Sequence, residues 1–346
     1  MPEPLRKAAR SAASGIGRAA TTVGRMLTVP ARLTGLHRPH KTPTARQGVD
    51  RALSGIESMP DLDTPPAPGA VRVCCIDYGA DQSRVVDLRD LDAFFNEPRP
   101  DGMTVRWINV DGLHPYVVNQ FRKQYKFHTL AAEDVLRTPQ RPKVETYDDH
   151  LFITLNMLTL KDGALACEQI SIFYWRDTIL TFQERPGDVW EPIRRRIDTP
   201  GSRHRKHPTA AYLLYSLLDA IVDQCFPILE HYGDVLEAME QNIVESATEK
   251  AHHELHAIKR QLVLLRRLIW PTRELLDRLH RDEDEMLTPH ARTFLRDVYD
   301  HAIQLVDIVE TYREMASGLN DLYLSGISHR MNEVMKVLTI MASLFI

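Results

Sequence analysis

Five carboxylates and one run of histidines are the residues whose types could do chemistry in this chain. Glu133 and Asp134 are adjacent, Asp219 and Asp223 are four apart, and Asp297 stands alone, all within stretches of helical spacing. Carboxylates from separate elements can converge on a divalent cation. Mg2+ takes oxygen ligands and keeps several waters, so a few carboxylates are enough. By spacing alone, each is equally a surface group or a salt-bridge partner. The run His252-His-Glu-Leu-His256 fails the zinc-protease pattern, which needs two His four apart with Glu directly after the first. His252 and His256 share a helix face, but Lys259 and Arg260 follow, so the segment reads as a solvated face rather than a zinc site. No Gly-rich phosphate loop follows a strand and no Gly-x-Ser-x-Gly elbow occurs. Nothing here points to an enzyme.

A further set of polar residues lies near the end of the chain. Asp321, Ser325, Ser328, Asn332 and Met335 recur at spacings of three and four. From Val334 onward the chain is apolar except for Lys336 and small polar residues. A polar stripe running into an apolar segment is the pattern of a helix that lines a water-filled axis as it enters a membrane. Val334 to Ile346 would rise roughly 20 Å, short of the roughly 30 Å of a bilayer's hydrocarbon.

These residues need elements to position them. No proline follows Pro289, so one helix is expected over Ala291–Ile346, about 84 Å long. Leu305, Ile308, Tyr312, Met315, Leu319 and Leu322 predict a coiled-coil seam along it. Two more helices are expected, Ala210–Val244 with a kink at Pro227 and Ala251–Asp284 carrying Pro271. Upstream, Val71–Ile76 and Thr104–Val110 read as strands, and His114–Tyr125, Thr129–Leu136 and Asp188–Ile197 as short helices. Lys143–Leu160 and Glu168–Glu184 read as a β-rich pair joined at Lys161-Asp-Gly163, with a turn at Arg176-Asp177 dividing the second run. This predicts an α+β domain over roughly residues 70–200 followed by long helices.

Composition agrees. The chain has 346 residues, 43% hydrophobic and 26% charged, enough for two domains with cores. Residues 1–51 carry ten Lys or Arg against two acids, net +8, while the whole chain is −4, leaving −12 for the rest. An acidic body suits divalent cations better than nucleic acid. Residues 1–68, rich in Ala, Arg, Thr, Gly and Pro, read as a disordered basic arm. The four cysteines have no zinc-like spacing and read as reduced, and no secretory signal is visible.

Several segments carry a resemblance. Asn332-Glu-Val-Met-Lys-Val-Leu-Thr-Ile340, Phe294-Leu-Arg-Asp-Val-Tyr-Asp-His301, Gln140-Arg-Pro-Lys-Val-Glu145, Thr181-Phe-Gln-Glu184 and Tyr212-Leu-Leu-Tyr-Ser-Leu-Leu-Asp219 resemble the CorA family of magnesium and cobalt transporters. The likeness runs from about residue 70 to the last residue. It implies a funnel-shaped homopentamer with an α/β/α cytoplasmic domain and a stalk helix continuing into the first transmembrane helix. The chain then divides into the arm (1–68), a divalent-sensing domain (69–207), long antiparallel helices (208–288), and the stalk with the start of a transmembrane helix (289–346). The resemblance implies that Asp321, Ser328, Asn332, Met335 and Leu338 face the pore. It implies that Glu133, Asp134, Asp219 and Asp297 bind regulatory Mg2+ between subunits, and that Mg2+ is also the transported ion, with Co2+ able to substitute. It implies a membrane protein with a large cytoplasmic domain and no organic small-molecule substrate. The family's Gly-Met-Asn signature and second transmembrane helix are expected beyond Ile346, so the chain reads as cut within the first transmembrane helix. A ZntB-like zinc transporter and a soluble sensor without transport are the alternatives.

Overall fold

The computed structural model describes residues 55–161, 163–281 and 286–345, so most of the basic arm lies outside the described residues. Seven strands form one sheet: β1 (Arg72–Tyr78), β2 (Ser83–Leu88), β3 (Val105–Asp111), β4 (Lys143–Thr146), β5 (Leu151–Lys161), β6 (Ala164–Tyr174) and β7 (Thr178–Gln183). Their order is β2-β1-β3-β7-β6-β5-β4. β1 pairs antiparallel with β2 and β3, β3 runs parallel to β7, and β7 is antiparallel to β6. The expected strands are present. β2 is an addition: it is an edge strand without a fully buried residue, so its sequence lacks the apolar signature of the central strands. The expected single run over 143–160 is interrupted at residues 147–150, between β4 and β5.

Side chains alternate across the sheet with period two. Val73, Cys75, Ile108, Val110, Leu180 and Phe182 face one side. There they meet α1 (Leu91–Asn96), α2 (Pro115–Tyr125) and α3 (Thr129–Leu136), which contribute Phe94, Phe121 and Val135 to the same core. Ile56, within the arm expected to be disordered up to residue 68, is instead buried in that cluster, with Met59 and Leu62 packed against it, because these apolar side chains complete the core over α3. On the other side Trp107 meets Trp190 edge to face at 5.7 Å. Trp190 precedes α4 (Glu191–Asp198), and its indole N–H donates to the Leu217 carbonyl at 3.0 Å. Helices on both faces make the α/β/α layering. Between β5 and β6 the chain turns at Gly163, which adopts φ 74°.

After the short α5 (Arg203–Lys206), Thr209 caps α6 (Ala210–Asp223) by accepting the Tyr212 N–H at 3.2 Å. The expected single helix is divided: α6 ends and α7 (Cys225–Glu245) begins at Gln224. Pro227 is the physical reason, because it cannot donate to the Asp223 carbonyl and its ring crowds that group. Pro271, by contrast, sits inside a continuous α8 (Glu249–Arg281). The last helix, α9 (Pro289–Phe345), has 57 residues, about 85 Å of length, and packs along α8 and against α7 and α6.

The seam on α9 differs from the expected one. Ala302, Leu305, Val309, Ala316, Leu319 and Tyr323 are buried. Leu305 and Leu319 belong to both seams, but Ile308, Met315 and Leu322 are half-buried or exposed, one residue short of the buried Val309, Ala316 and Tyr323. The α8 face is met by a stripe rotated slightly from the most apolar one. That rotation leaves part of the apolar face uncovered in the single chain.

Candidate divalent-cation sites

Two acidic places occur in the described structure, on different cavities. The first is built on α6 and α9. Asp219 and Asp223 are one helical turn apart on α6, so they share a face. His301 reaches them from α9: its Nδ1 lies 3.1 Å from Asp223 Oδ1 and 3.8 Å from Asp219 Oδ1. One ligand atom from each of the three falls within 4.8 Å of the others. Aromatic contacts hold the two helices together beside the cluster: Phe294 of α9 packs on Tyr215 at 5.0 Å and on Tyr212 at 5.4 Å, and Phe226 meets the His301 ring at 5.9 Å.

Asp219 is the strained member. Its Oδ1 is buried without a hydrogen-bond partner. Burial pushes its pKa up to about 6, and the like charge of Asp223 adds to the shift. His301 and Arg196 act in the opposite sense, while Asp297, exposed on α9, raises it further. A cleft of about 550 Å³ opens beside Asp219 and Asp223, and Arg196, His204 and Tyr215 also line it. Two carboxylates and an imidazole facing solvent from one side fit a divalent cation that retains part of its water shell. Mg2+ would take the carboxylate oxygens directly or through water, and Co2+ or Ni2+ could also accept the imidazole.

The second place is on α3. Glu133 is buried and already satisfied: it accepts the Gly55 N–H at 2.6 Å and pairs with Arg137 at 2.7 Å. Asp134 pairs with Lys143 Nζ at 2.6 Å, and Lys143 also binds Glu145 at 2.6 Å. These residues line an open groove with His128 and Tyr147. Within one chain, then, Asp219 meets Asp223 and His301, and Asp297 reaches it only electrostatically, while Glu133 and Asp134 line another groove, paired with Arg137 and Lys143.

The remaining candidates are on the far part of α9. Asp321, Ser328, Asn332, Met335 and Leu338 are all exposed. The Ser328 hydroxyl donates to the Leu324 carbonyl at 2.9 Å, so it needs no outside partner. On a straight helix Leu338 points about 100° from Asp321; a left-handed supercoil with a 3.5-residue repeat narrows this to about 50°. The apolar end is bare: Val334, Val337, Ile340 and Met341 are more than half exposed and Phe345 is 91% exposed. A contiguous apolar surface of this kind marks a membrane or protein contact. Among the described residues, the stretch that meets a length-and-hydropathy test for a membrane span is instead 210–245, of which 61% of the apolar window is buried. That burial is the property of a core helix pair.

Two residues of the α6–α9 cluster, Asp223 and His301, are not among those to which the family resemblance assigns a metal. Asp223 was one carboxylate among several, and His301 stood only within a matching segment. Their signal was present as i, i+4 spacing, Asp219 to Asp223 and Asp297 to His301.

Comparison with known proteins is consistent across sequence and fold. The family described as CorA-like Mg2+ transporter protein matches residues 102–346. The chain is 41% identical over 273 residues to the cobalt/magnesium transport protein CorA of Thermotoga maritima, covering 78% of this chain and 77% of that protein. The complete CorA magnesium transporter of Methanocaldococcus jannaschii superposes with a TM-score of 0.65 at 20% identity, covering 79% of this chain and 83% of that one. Full-length CmaX gives a TM-score of 0.68 at 18% identity, over 81% and 85% of the two chains. At these identities the superpositions speak to the fold.

Proposed function

The chain belongs to the CorA-like Mg2+ transporter family, and from that premise we propose that it is a subunit of a membrane transporter for Mg2+, also carrying Co2+ and Ni2+, gated from the cytoplasmic side by its own cargo. The observation that carries the reading is that α9 is one continuous helix with the acidic cluster near its start and the exposed polar stripe near its end. Asp297 and Asp321 are 24 residues apart, about 36 Å of rigid helix. A cation that binds at one end can therefore set the position of the other.

In the proposed assembly five copies surround an axis in the cell membrane, with residues 69–207 as the sensing domain, 208–288 as supporting helices and 289–346 as stalk. The half-covered residues Ile308 and Met315 support a further contact along the stalk. Glu133 and Asp134 of one subunit would approach Asp219 and Asp297 of the next, consistent with their facing different ways in a single chain. With Mg2+ bound, the carboxylates are bridged and the stalks are held together. Without it, like charges repel and the stalks separate. Asp321 and Asn332 would offer rings of oxygen to a hydrated ion, while Met335 and Leu338 would form a constriction that blocks it by dewetting. Transport, rather than catalysis, is the activity.

The test is uptake in cells that lack their own Mg2+ transport. Growth at limiting Mg2+ should return when the product of the full-length gene is present in the membrane, and Asp321→Lys should abolish it. Absence of rescue by membrane-inserted protein would overturn the reading. For the gating step, Mg2+ should protect the purified protein from limited proteolysis, and Asp297→Lys should remove that protection.

A further inference from the structure

The histidines near the start of α8 form an arrangement that their spacing alone did not disclose. His252 and His256 are one turn apart, and their Nε2 atoms face each other at 3.1 Å. The ring centroids are 4.4 Å apart with planes inclined at 73°. Two imidazole nitrogens bound to one metal at about 2.0–2.1 Å stand about 3.0 Å apart in an octahedral site and about 3.4 Å apart in a tetrahedral one. The observed 3.1 Å is a hydrogen-bond distance between the two rings and also falls within the bite of such a chelate.

The orientation is not left to chance. The His252 ring lies flat against Tyr323, with centroids 4.5 Å apart and planes within 5°. Tyr323 is itself buried, at 6% exposure, on α9. His256 is exposed, so a cation can reach the pair from solvent. His253 points to another face, where Glu249 approaches it at 3.9 Å. Without a metal, one imidazole N–H can donate to the other ring's lone pair; binding through both Nε2 atoms requires the donor ring to carry its proton on Nδ1 instead, with no net proton released.

We propose that His252 and His256 form a binding site for a borderline transition cation of the Co2+, Ni2+ or Zn2+ class, chemically separate from the carboxylate cluster of α6 and α9. Imidazole suits these ions, whereas Mg2+ takes oxygen ligands and gives up water reluctantly. The all-imidazole pair thus disfavours Mg2+, which the carboxylates of the α6–α9 cluster can accept. The stack on Tyr323 joins this site to α9 two residues beyond Asp321, so occupancy would fix the beginning of α8 against the stalk.

The experiment is calorimetric titration of the full, untagged protein with Ni2+ in the presence of excess Mg2+, which occupies the oxygen sites. The wild type should bind Ni2+ at a site whose affinity falls by about tenfold or more in His256→Ala and in His252→Gln. His253→Ala should bind as the wild type does, and circular dichroism of all three variants should match it. The proposal is overturned if His256→Ala and His252→Gln, folded as the wild type, titrate unchanged, or if His253→Ala causes the same loss as they do.

Discussion

Asp219 sits where a carboxylate is poorly accommodated without a counter-ion, with one oxygen buried and unbonded and its pKa raised to about 6 by burial and then by Asp223. The unfolded chain would titrate this group near 3.8. Its folded value is the higher one, so its contribution to stability is present below the unfolded value and is lost as pH rises through about 6. His204 does the opposite. It is buried, and desolvation, followed by Arg196, lowers its pKa from 6.5 to about 4. Its contribution is present above 6.5 and is lost as pH falls toward 4. The two partly cancel in the metal-free wild type. Thermal unfolding of Asp219→Asn without metal should therefore show a steeper loss of stability on acidification from pH 6.5 to 4 than the wild type shows. Saturating Mg2+ at neutral pH should raise the midpoint of the wild type and much less that of Asp219→Asn, because a ligand that binds only the folded state stabilises it.

At the scale of elements, α9 presents two different faces, and substitutions should separate them. Leu305 is 1% exposed against the packed helices. Leu305→Ala should cost about 2–5 kcal/mol of unfolding free energy in urea denaturation, the range for truncating a buried leucine. Ile308→Ala and Met315→Ala remove side chains only half covered in the single chain. They should leave the fold's stability within about 1 kcal/mol of the wild type and weaken self-association instead. In the sheet, Asp77 and Arg106 form a two-pronged ion pair at 2.7 and 2.8 Å, with the Asp77 side chain 5% exposed. Asp77→Ala strands the guanidinium, and a loss of about 3–5 kcal/mol is expected in the same assay.

For the whole molecule the decisive property is assembly. A single chain keeps Glu133 and Asp134 on one groove and Asp219 on another cleft, each lined by different residues. The proposed assembly would bring those surfaces together across neighbouring copies. Sedimentation equilibrium in detergent with Mg2+ should return the mass of five chains, and a dimer or trimer would exclude the pentameric funnel. Lys143→Ala frees Asp134 from its ammonium partner. It should tighten Mg2+ protection from proteolysis if Asp134 serves the cation, and leave it unchanged if that carboxylate is only a salt-bridge partner.

What the sequence by itself determined is what depends on near neighbours along the chain. The central strands follow from alternating or continuous apolar residues and the long helix from the lack of proline after Pro289, whereas Pro227 signalled a kink in one helix and the fold makes it a division at Gln224. The family likeness was also legible, because its segments are contiguous. Other features required the fold. His301 and Asp223 are 78 residues apart, and no local pattern says that their helices cross at that point. The α9 seam shifted by a residue at Ile308, Met315 and Leu322, because the partner helices choose the face that packs best and not only the most apolar one. His252 and His256 read as a solvated face until the ring of Tyr323 gave one of them a fixed orientation. Periodicity states which side chains share a face; only packing between distant elements decides what that face meets.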